Sequence, residues 1–390
     1  MLEALAAFAG SDRTRLVREL DAYQAAVVAS RGRGDRGLLL RAEADVKAAP
    51  HECFVEDAQG QVTLFAAGRR YHAGCFEQLS LRELKARARR AQARNRQRSG
   101  RLRLFICDGT GPGTDIGALQ AFAPPGTLFQ VASQFNCLEA PGAFITDVSD
   151  YLHDPTQGPR ASVSAFPGTL LRHYAAPQAD ADAPRFVQTS DGPQLNLLAS
   201  VCGPGLARVH SGYLRPDDVD DAAAFARALD DRFDELAIGF HNDVQVVLGC
   251  DWDGGVEASP HRRIAQVLTS TMAAGMYGDL HSDDAAIQRS LWSLQRTAYL
   301  GTLLAAAAHG KDQAVLTLIG GGVFGNPIPL IFQAIEWSLA QVASYLHRDL
   351  TVVVNGRNLS DHVQVTTLGA AAQARSGLFL RLDKNGATIP

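Results

Sequence analysis

The sequence predicts an α/β protein on a largely parallel sheet, and three observations carry that prediction. From residue 101 onward, short apolar segments rich in β-branched residues alternate with helical segments, the pattern of parallel strands joined by crossover helices. The helix predicted over 327–347 places Ile328, Ile331, Ile335, Leu339, Val342 and Leu346 on one face, as a helix lying on a sheet requires. Between these grammars stands a strand-to-helix passage, residues 314–327. There the apolar run Val315 to Ile319 breaks at Gly320, Gly321, Gly322 and Gly325.

The elements follow in order. Residues 1–48 read as helical, because Leu2, Leu5 and Phe8, then Leu16, Leu20, Tyr23 and Val27, recur at helical spacing. A hairpin is expected at 53–55 and 62–66, with a turn at 57–60. A basic helix follows over 81–98. Ser80 is its N-cap and Glu83 completes a capping box. It carries Lys85, Arg87, Arg89, Arg90, Arg94, Arg96 and Arg98. Strands are expected at 102–107, 128–133, 194–201, 244–249, 314–319 and 350–354. Helices are expected at 161–173, 222–236, 285–309 and 327–347, the last opened by Asn326 as N-cap and Pro327 at the first helical position. Residues 176–193 and 251–261 read as exposed loops.

Composition narrows the function classes. The chain has 390 residues, a net charge of −4 and 46% hydrophobic residues, the profile of an ordinary soluble globular protein with no global pull toward nucleic acid. No apolar stretch is long enough to span a membrane, and no signal peptide is evident, so a cytoplasmic or translocated protein is expected. Cys53, Cys75, Cys107, Cys137, Cys202 and Cys250 show no paired spacing, and the eleven histidines form no helical pair, so free buried thiols and no metal site are expected. The basic helix 81–98 has no interleaved aromatic residues. A solvated or domain-facing surface is its simpler reading, and nucleic-acid binding the alternative.

A strand, a glycine loop and a helix start present backbone N–H groups to an anion. The Lys-Ser/Thr pair of a P-loop and the dinucleotide fingerprint are both missing from 314–327. A second loop region lies upstream. Residues 129–139 run from a strand into Gln134, Asn136 and Glu139. Residues 151–162 offer Asp154, Thr156, Gln157, Gly158 and Arg160 before a helix. Singly these are ordinary loop residues; together with the glycine loop they outline a two-sided anion cleft.

On these stretches the chain resembles the macrodomains, and among them the MavL-type, arginine-directed ADP-ribosylhydrolases. Residues 129–139 stand where macrodomains carry the asparagine for the distal ribose, matched by Asn136. Residues 156–160 stand at the first phosphate loop, with one glycine where ordinary macrodomains have several. Residues 318–327 match the second phosphate loop, and 296–304 match the helix before it. The Gly-Gly-Gly…Gln-Glu-Glu pattern is absent, which disfavours a poly(ADP-ribose) glycohydrolase.

The resemblance implies a three-layer α/β/α macrodomain-like mixed sheet over 101–390, with a mainly helical extension over 1–100 that caps the cleft or recognises a partner. It implies ADP-ribose, or an ADP-ribosylated protein, as ligand and no further cofactor. Gln134, Asn136, Thr156, Gln157, Gly158, Arg160, Gly320, Gly321, Gly322, Val323, Phe324, Gly325, Asn326 and Asn355 are the implied contacts. Asp154 and Glu139, with Asp279 behind them, are the candidate acids for cleaving the N-glycosidic bond to arginine. A reader that binds without cleaving is the alternative.

Overall fold

The computed structural model describes residues 1–10, 12–95, 99–154, 156–178, 184–251, 254–280 and 284–390. Arg96 and Arg98 of the basic run, parts of the two expected loops, and the Cys250 side chain lie outside the described residues. Helices α1 (Leu2–Ala7), α2 (Arg13–Ala29), α3 (Gly37–Ala48) and α4 (Pro50–Cys53) precede strands β1 (Phe54–Glu56), β2 (Val62–Ala66) and β3 (Arg69–Ser80). Helix α5 (Leu81–Arg94) leads to β4 (Leu102–Asp108), α6 (Ile116–Phe122), β5 (Leu128–Ala132), α7 (Gln157–Ser164), α8 (Phe166–Tyr174) and α9 (Ala222–Asp231). Strands β6 (Ala237–Gln245), β7 (Leu248–Asp251), β8 (Gly254–Glu257) and β9 (Arg263–Thr269) come next. The chain ends with α10 (Ala285–Ala308), β10 (Gln313–Thr317), α11 (Ile328–Val342), β11 (Leu350–Asn355), α12 (Val365–Gln373), β12 (Phe379–Asp383) and β13 (Gly386–Thr388).

Among the described residues, eleven strands form one sheet in the order β1-β2-β3-β6-β9-β5-β10-β11-β4-β12-β13. The stretch β9-β5-β10-β11-β4-β12 is parallel throughout. The flanks β1-β2-β3-β6-β9 and β12-β13 are antiparallel, so the sheet is mixed. Successive residues of the central strands alternate between two cores. Phe105, Cys107, Phe129, Val315 and Val353 face one side with α2 and α6. Leu104, Ile106, Leu316, Val352 and Val354 face the other with α5, α10 and α11. The result is the three-layer α/β/α arrangement expected.

Several elements depart from the sequence reading. Residues 194–201 form turns in place of a strand: Asn196 Oδ1 accepts from Leu198 N at 2.9 Å, and Val201 N donates to Leu198 O at 2.9 Å. The helix expected over 161–173 starts earlier and breaks at Ala165, because Pro167 has no N–H to donate back and its ring would clash with the preceding turn. The strand expected over 244–249 straddles the end of β6 and the start of β7, and β3, β8, β9, β12 and β13 go beyond the expected set, β8 standing within the loop expected over 251–261. The basic helix ends at Arg94, with its capping box as expected. Its cations meet acids of the same chain: Lys85 pairs with Asp234 at 2.5 Å and Arg87 with Glu77 at 2.7 Å, while Arg89 lies 5.5 Å over the Tyr345 ring. Much of its charge is therefore turned to its own fold.

Candidate functional site

A cavity of about 420 Å³ opens at the carboxyl ends of the parallel strands. Ala132 ends β5; Thr317 ends β10, and Leu318, Gly321 and Gly322 follow it; Asn355 ends β11, and Arg357 and Asn358 follow it; Thr110 follows β4; Thr156 and Gln157 open α7. This is the end of an open parallel sheet where strand ends and helix N-termini converge on ligands. A larger recess of about 840 Å³ lies at the amino ends, around Thr127, Gln313 and Thr351. Its Arg348 is paired with Asp312 at 3.1 Å and its Arg103 donates to carbonyls of α1 and of Phe8, so charge there is already met.

The glycine loop after β10 is built by its own backbone. Gly321 N donates to Leu318 O at 3.0 Å, Gly325 N to Gly322 O at 2.9 Å, and Asn326 N to Gly320 O at 2.9 Å. Gly320 has φ +76°, and a Cβ there would fall 2.4 Å from Thr271 Cγ2, so only glycine fits. The amides of Gly322, Val323 and Phe324 donate to no described residue. Asn326 is a brace, not the helix cap expected: its Nδ2 donates to Met272 O and Phe324 O, and its Oδ1 accepts from Gln295 Nε2 at 2.9 Å and Thr271 Oγ1 at 3.1 Å. Pro327 takes the N-cap position and the helix starts at Ile328.

Across the cavity, Asp154 accepts from Thr156 N at 2.8 Å and Thr156 Oγ1 at 2.6 Å, shaping the entry to α7. Gln157 and Gly158 then present amides with no acceptor among the described residues. A Cβ on Gly158 would lie 2.4 Å from Ala132 O and 2.5 Å from the Glu139 carboxyl carbon. The helix start is thus pressed onto the end of β5, with the Glu139 carboxyl beside it.

The structure sorts the expected contacts into two groups. Thr156, Gln157, Gly321, Gly322 and Asn355 line the cavity. Gln134, Asn136 and Arg160 are buried braces. Gln134 Nε2 donates to Ala140 O at 2.7 Å and to Tyr213 Oη at 2.8 Å. Asn136 lies beneath Gly212, its Oδ1 accepting from Leu138 N and its Nδ2 donating to Gln194. Arg160, 2% exposed, forms a buried ion pair with Asp115, which also caps α6. The half-buried Phe324 ring sits 5.9 Å from Tyr213 and 5.5 Å from Tyr277.

Of the three acids, Glu139 is distinctive. Loss of water around its carboxyl, and then the Asp154 charge, push its pKa well above the usual carboxylate range; the Arg172 guanidinium opposes them. Glu139 therefore holds its proton where an exposed glutamate would not. Asp154 is spent partly on Thr156, and Asp279 is exposed on the loop before α10.

Beneath this site lies a buried network the sequence did not reveal. Arg172 is 0% exposed; its Nε donates to Cys137 O at 3.0 Å and its Nη1 lies 2.7 Å from His241 Nδ1. His241 Nε2 is 2.6 Å from Ala73 O, so the ring is neutral with its proton on Nε2, and burial lowers its pKa well below normal. Two cavity features were also missed. The run Gly109-Thr110-Gly111-Pro112-Gly113 directly after β4 is a further glycine loop, and its signal stood in the sequence. Arg357 is half-buried in the lining, and no described residue holds its guanidinium in a hydrogen bond or ion pair. At the cavity floor, the buried Oδ1 of Asn355 and Oγ1 of Thr317 have no partner among the described residues.

No family model matches the chain, and no curated protein matches it either. Among solved structures it is similar to poly(ADP-ribose) glycohydrolase from Thermomonospora curvata, at 14% identity and a TM-score of 0.41, over 91% of this chain and 99% of that one. It is also similar to the Deinococcus radiodurans glycohydrolase in complex with ADP-ribose, at 14% identity and a TM-score of 0.40, over 76% of this chain and 92% of that one. Likeness at this level assigns no residue a role.

Proposed function

We propose that the protein binds ADP-ribose in this cavity and hydrolyses the N-glycosidic bond of mono-ADP-ribosylated arginine. The observation that carries the reading is that two lining segments bring amides with no acceptor among the described residues to one cavity: Gln157, followed by Gly158, and Gly322, followed by Val323 and Phe324. A diphosphate is the ligand chemistry that satisfies both sets at once, and the α7 dipole adds to the attraction. Arg357, which no described acid pairs, offsets the ligand charge.

Glu139 supplies the chemistry. Water attacks the anomeric carbon as the carbon–nitrogen bond breaks; the nitrogen keeps the bonding pair and takes the Glu139 proton, while Asp154 accepts a proton from the water. Asp154 then returns that proton to Glu139 through solvent. Asp154 already accepts two hydrogen bonds from Thr156, and that observation favours the second reading, a reader that binds without cleaving.

Calorimetric titration with ADP-ribose tests the reading, with Gly322→Glu as control. A side chain at Gly322 meets nothing within 4 Å, so the substitution is tolerated sterically while placing a carboxylate against the diphosphate. Binding by the wild type that falls about 100-fold or more in Gly322→Glu is the expected outcome. Equal affinities remove the nucleotide from this loop. Release of ADP-ribose from arginine-modified protein then separates hydrolase from reader.

A further inference from the structure

We propose that Glu43, on α3 of the N-terminal extension, is a positioning residue for the acid Glu139. The inference rests on the function proposed above and adds a role for a part of the chain whose described residues do not line the cavity.

Glu43 is 3% exposed, 105 residues from the loop it serves. Its Oε1 accepts from Val148 N and, at 2.8 Å, from Tyr174 Oη; its Oε2 accepts from Ser149 N at 2.8 Å. Val148 and Ser149 begin the helical turn Val148–His153, whose first amides have no partner within the turn. A carboxylate from another part of the chain closes that end, as an N-cap does. Nearby, Lys47 of the same helix pairs with Asp147 at 2.6 Å.

The turn held in this way carries two groups that bear on Glu139. Tyr151, 1% exposed, accepts from Glu139 N at 3.2 Å and so fixes the backbone of the acid. Asp154 follows directly, and its charge is among the causes that keep Glu139 protonated. The titratable or charged groups around Glu139 are Asp154 and Tyr151 from this turn, Arg172 from α8, and Tyr213 from the segment after residue 202; α7 contributes only backbone at Gly158. Glu43 reaches the acid through the turn that carries the first two.

The test uses the full chain with Glu43→Gln, which keeps the size of the side chain but turns an amide donor toward the loop amides, and Glu43→Ala as a second variant. Hydrogen exchange is read on peptides covering 146–158, together with ADP-ribose calorimetry and the pH profile of turnover. We expect exchange of 148–154 to rise about tenfold or more while β4, β5 and β10 stay protected. ADP-ribose affinity should stay within about threefold, turnover should fall about tenfold or more, and its basic limb should move. Unchanged exchange in both variants overturns the anchoring. Raised exchange with wild-type turnover and pH profile makes Glu43 merely structural and overturns the proposal. A wild type that binds ADP-ribose but never cleaves removes the catalytic role while leaving the binding reading intact, and a wild type that does neither removes both.

Discussion

Glu139 keeps a proton because its carboxyl lies against Gly158 with little water around it and feels the Asp154 charge, and the buried Arg172 does not outweigh them. The sign of the pH dependence follows. An acid needed in its protonated form works below its raised pKa, so turnover falls as pH rises through that value. The folded state also holds this proton more tightly than the unfolded chain, so the contribution to stability is present below the ordinary glutamate pKa and is lost as pH rises through the folded one. Glu139→Gln imitates the protonated acid in shape. It should leave melting temperature at neutral pH unchanged or higher, flatten this part of its pH dependence, and lower turnover by about 100-fold or more with ADP-ribose affinity kept. Wild-type turnover in Glu139→Gln removes Glu139 as the proton donor.

At the scale of elements, the starts of α6 and α7 are tied to each other. Asp115 caps α6 by accepting from Gly117 N and Ala118 N, and pairs with Arg160 of α7, while Gln157 Oε1 accepts from Ile116 N. Removing Asp115 takes an ion-pair partner from a guanidinium at 2% exposure. Asp115→Ala should therefore cost about 3–5 kcal/mol in urea denaturation, and Asp115→Ala combined with Arg160→Met should recover much of it, because an apolar pair needs no counter-charge. No recovery in the double variant assigns the cost to the lost cap. Which elements were legible in the sequence has a similar physical cause. The β10 run and the one-sided α11 face were readable because one periodicity runs through each. Strands β3 and β6 were missed or blurred because both break step at the same place. Gly74 has φ +80° and Asp243 φ +61°, and the β6 pairing to β9 shifts between His241 and Val244. In 194–201, Leu195, Leu197, Leu198 and Val201 do enter the core, but Asn196 turns the chain before a ladder forms. The loop after β10 was legible from its glycines, whereas the run 109–113, equally glycine-rich, was passed over. Arg357 was not legible, since an arginine after a strand means little until its described surroundings prove to hold no acid for it, and Asn136 and Gln134 show that a polar loop residue can serve the loop itself.

Over the whole molecule, the extension joins the core along β3 and β6 and against α8, and neutral histidines lie along these contacts. His241 bridges Arg172 and the Ala73 carbonyl of β3, and its ring meets Phe76 at 5.5 Å. His173 of α8 is 5% exposed and stacked on Tyr174, the residue that reaches Glu43. His309, after α10, stacks on Phe240 of β6 at 4.0 Å. Burial lowers His173 and His309 to about 4, and His241 well below normal. A histidine depressed in the folded state stabilises it above the unfolded pKa and loses that contribution as pH falls toward the folded value. Stability should therefore decline between about pH 6.5 and 4, with His173 alone worth roughly 3 kcal/mol across that window. Glu139 acts in the opposite sense, but one acid opposes three histidines. Chemical denaturation across this range should show the loss, and His173→Phe should reduce it. Hydrogen exchange at pH 5 should rise first in β3 and α3, where the extension meets these rings, and last in β10 and β11. Uniform loss of protection, with the central strands exchanging as early as β3, would mean that the extension and core open together and that the histidine contacts are no weaker than the parallel sheet.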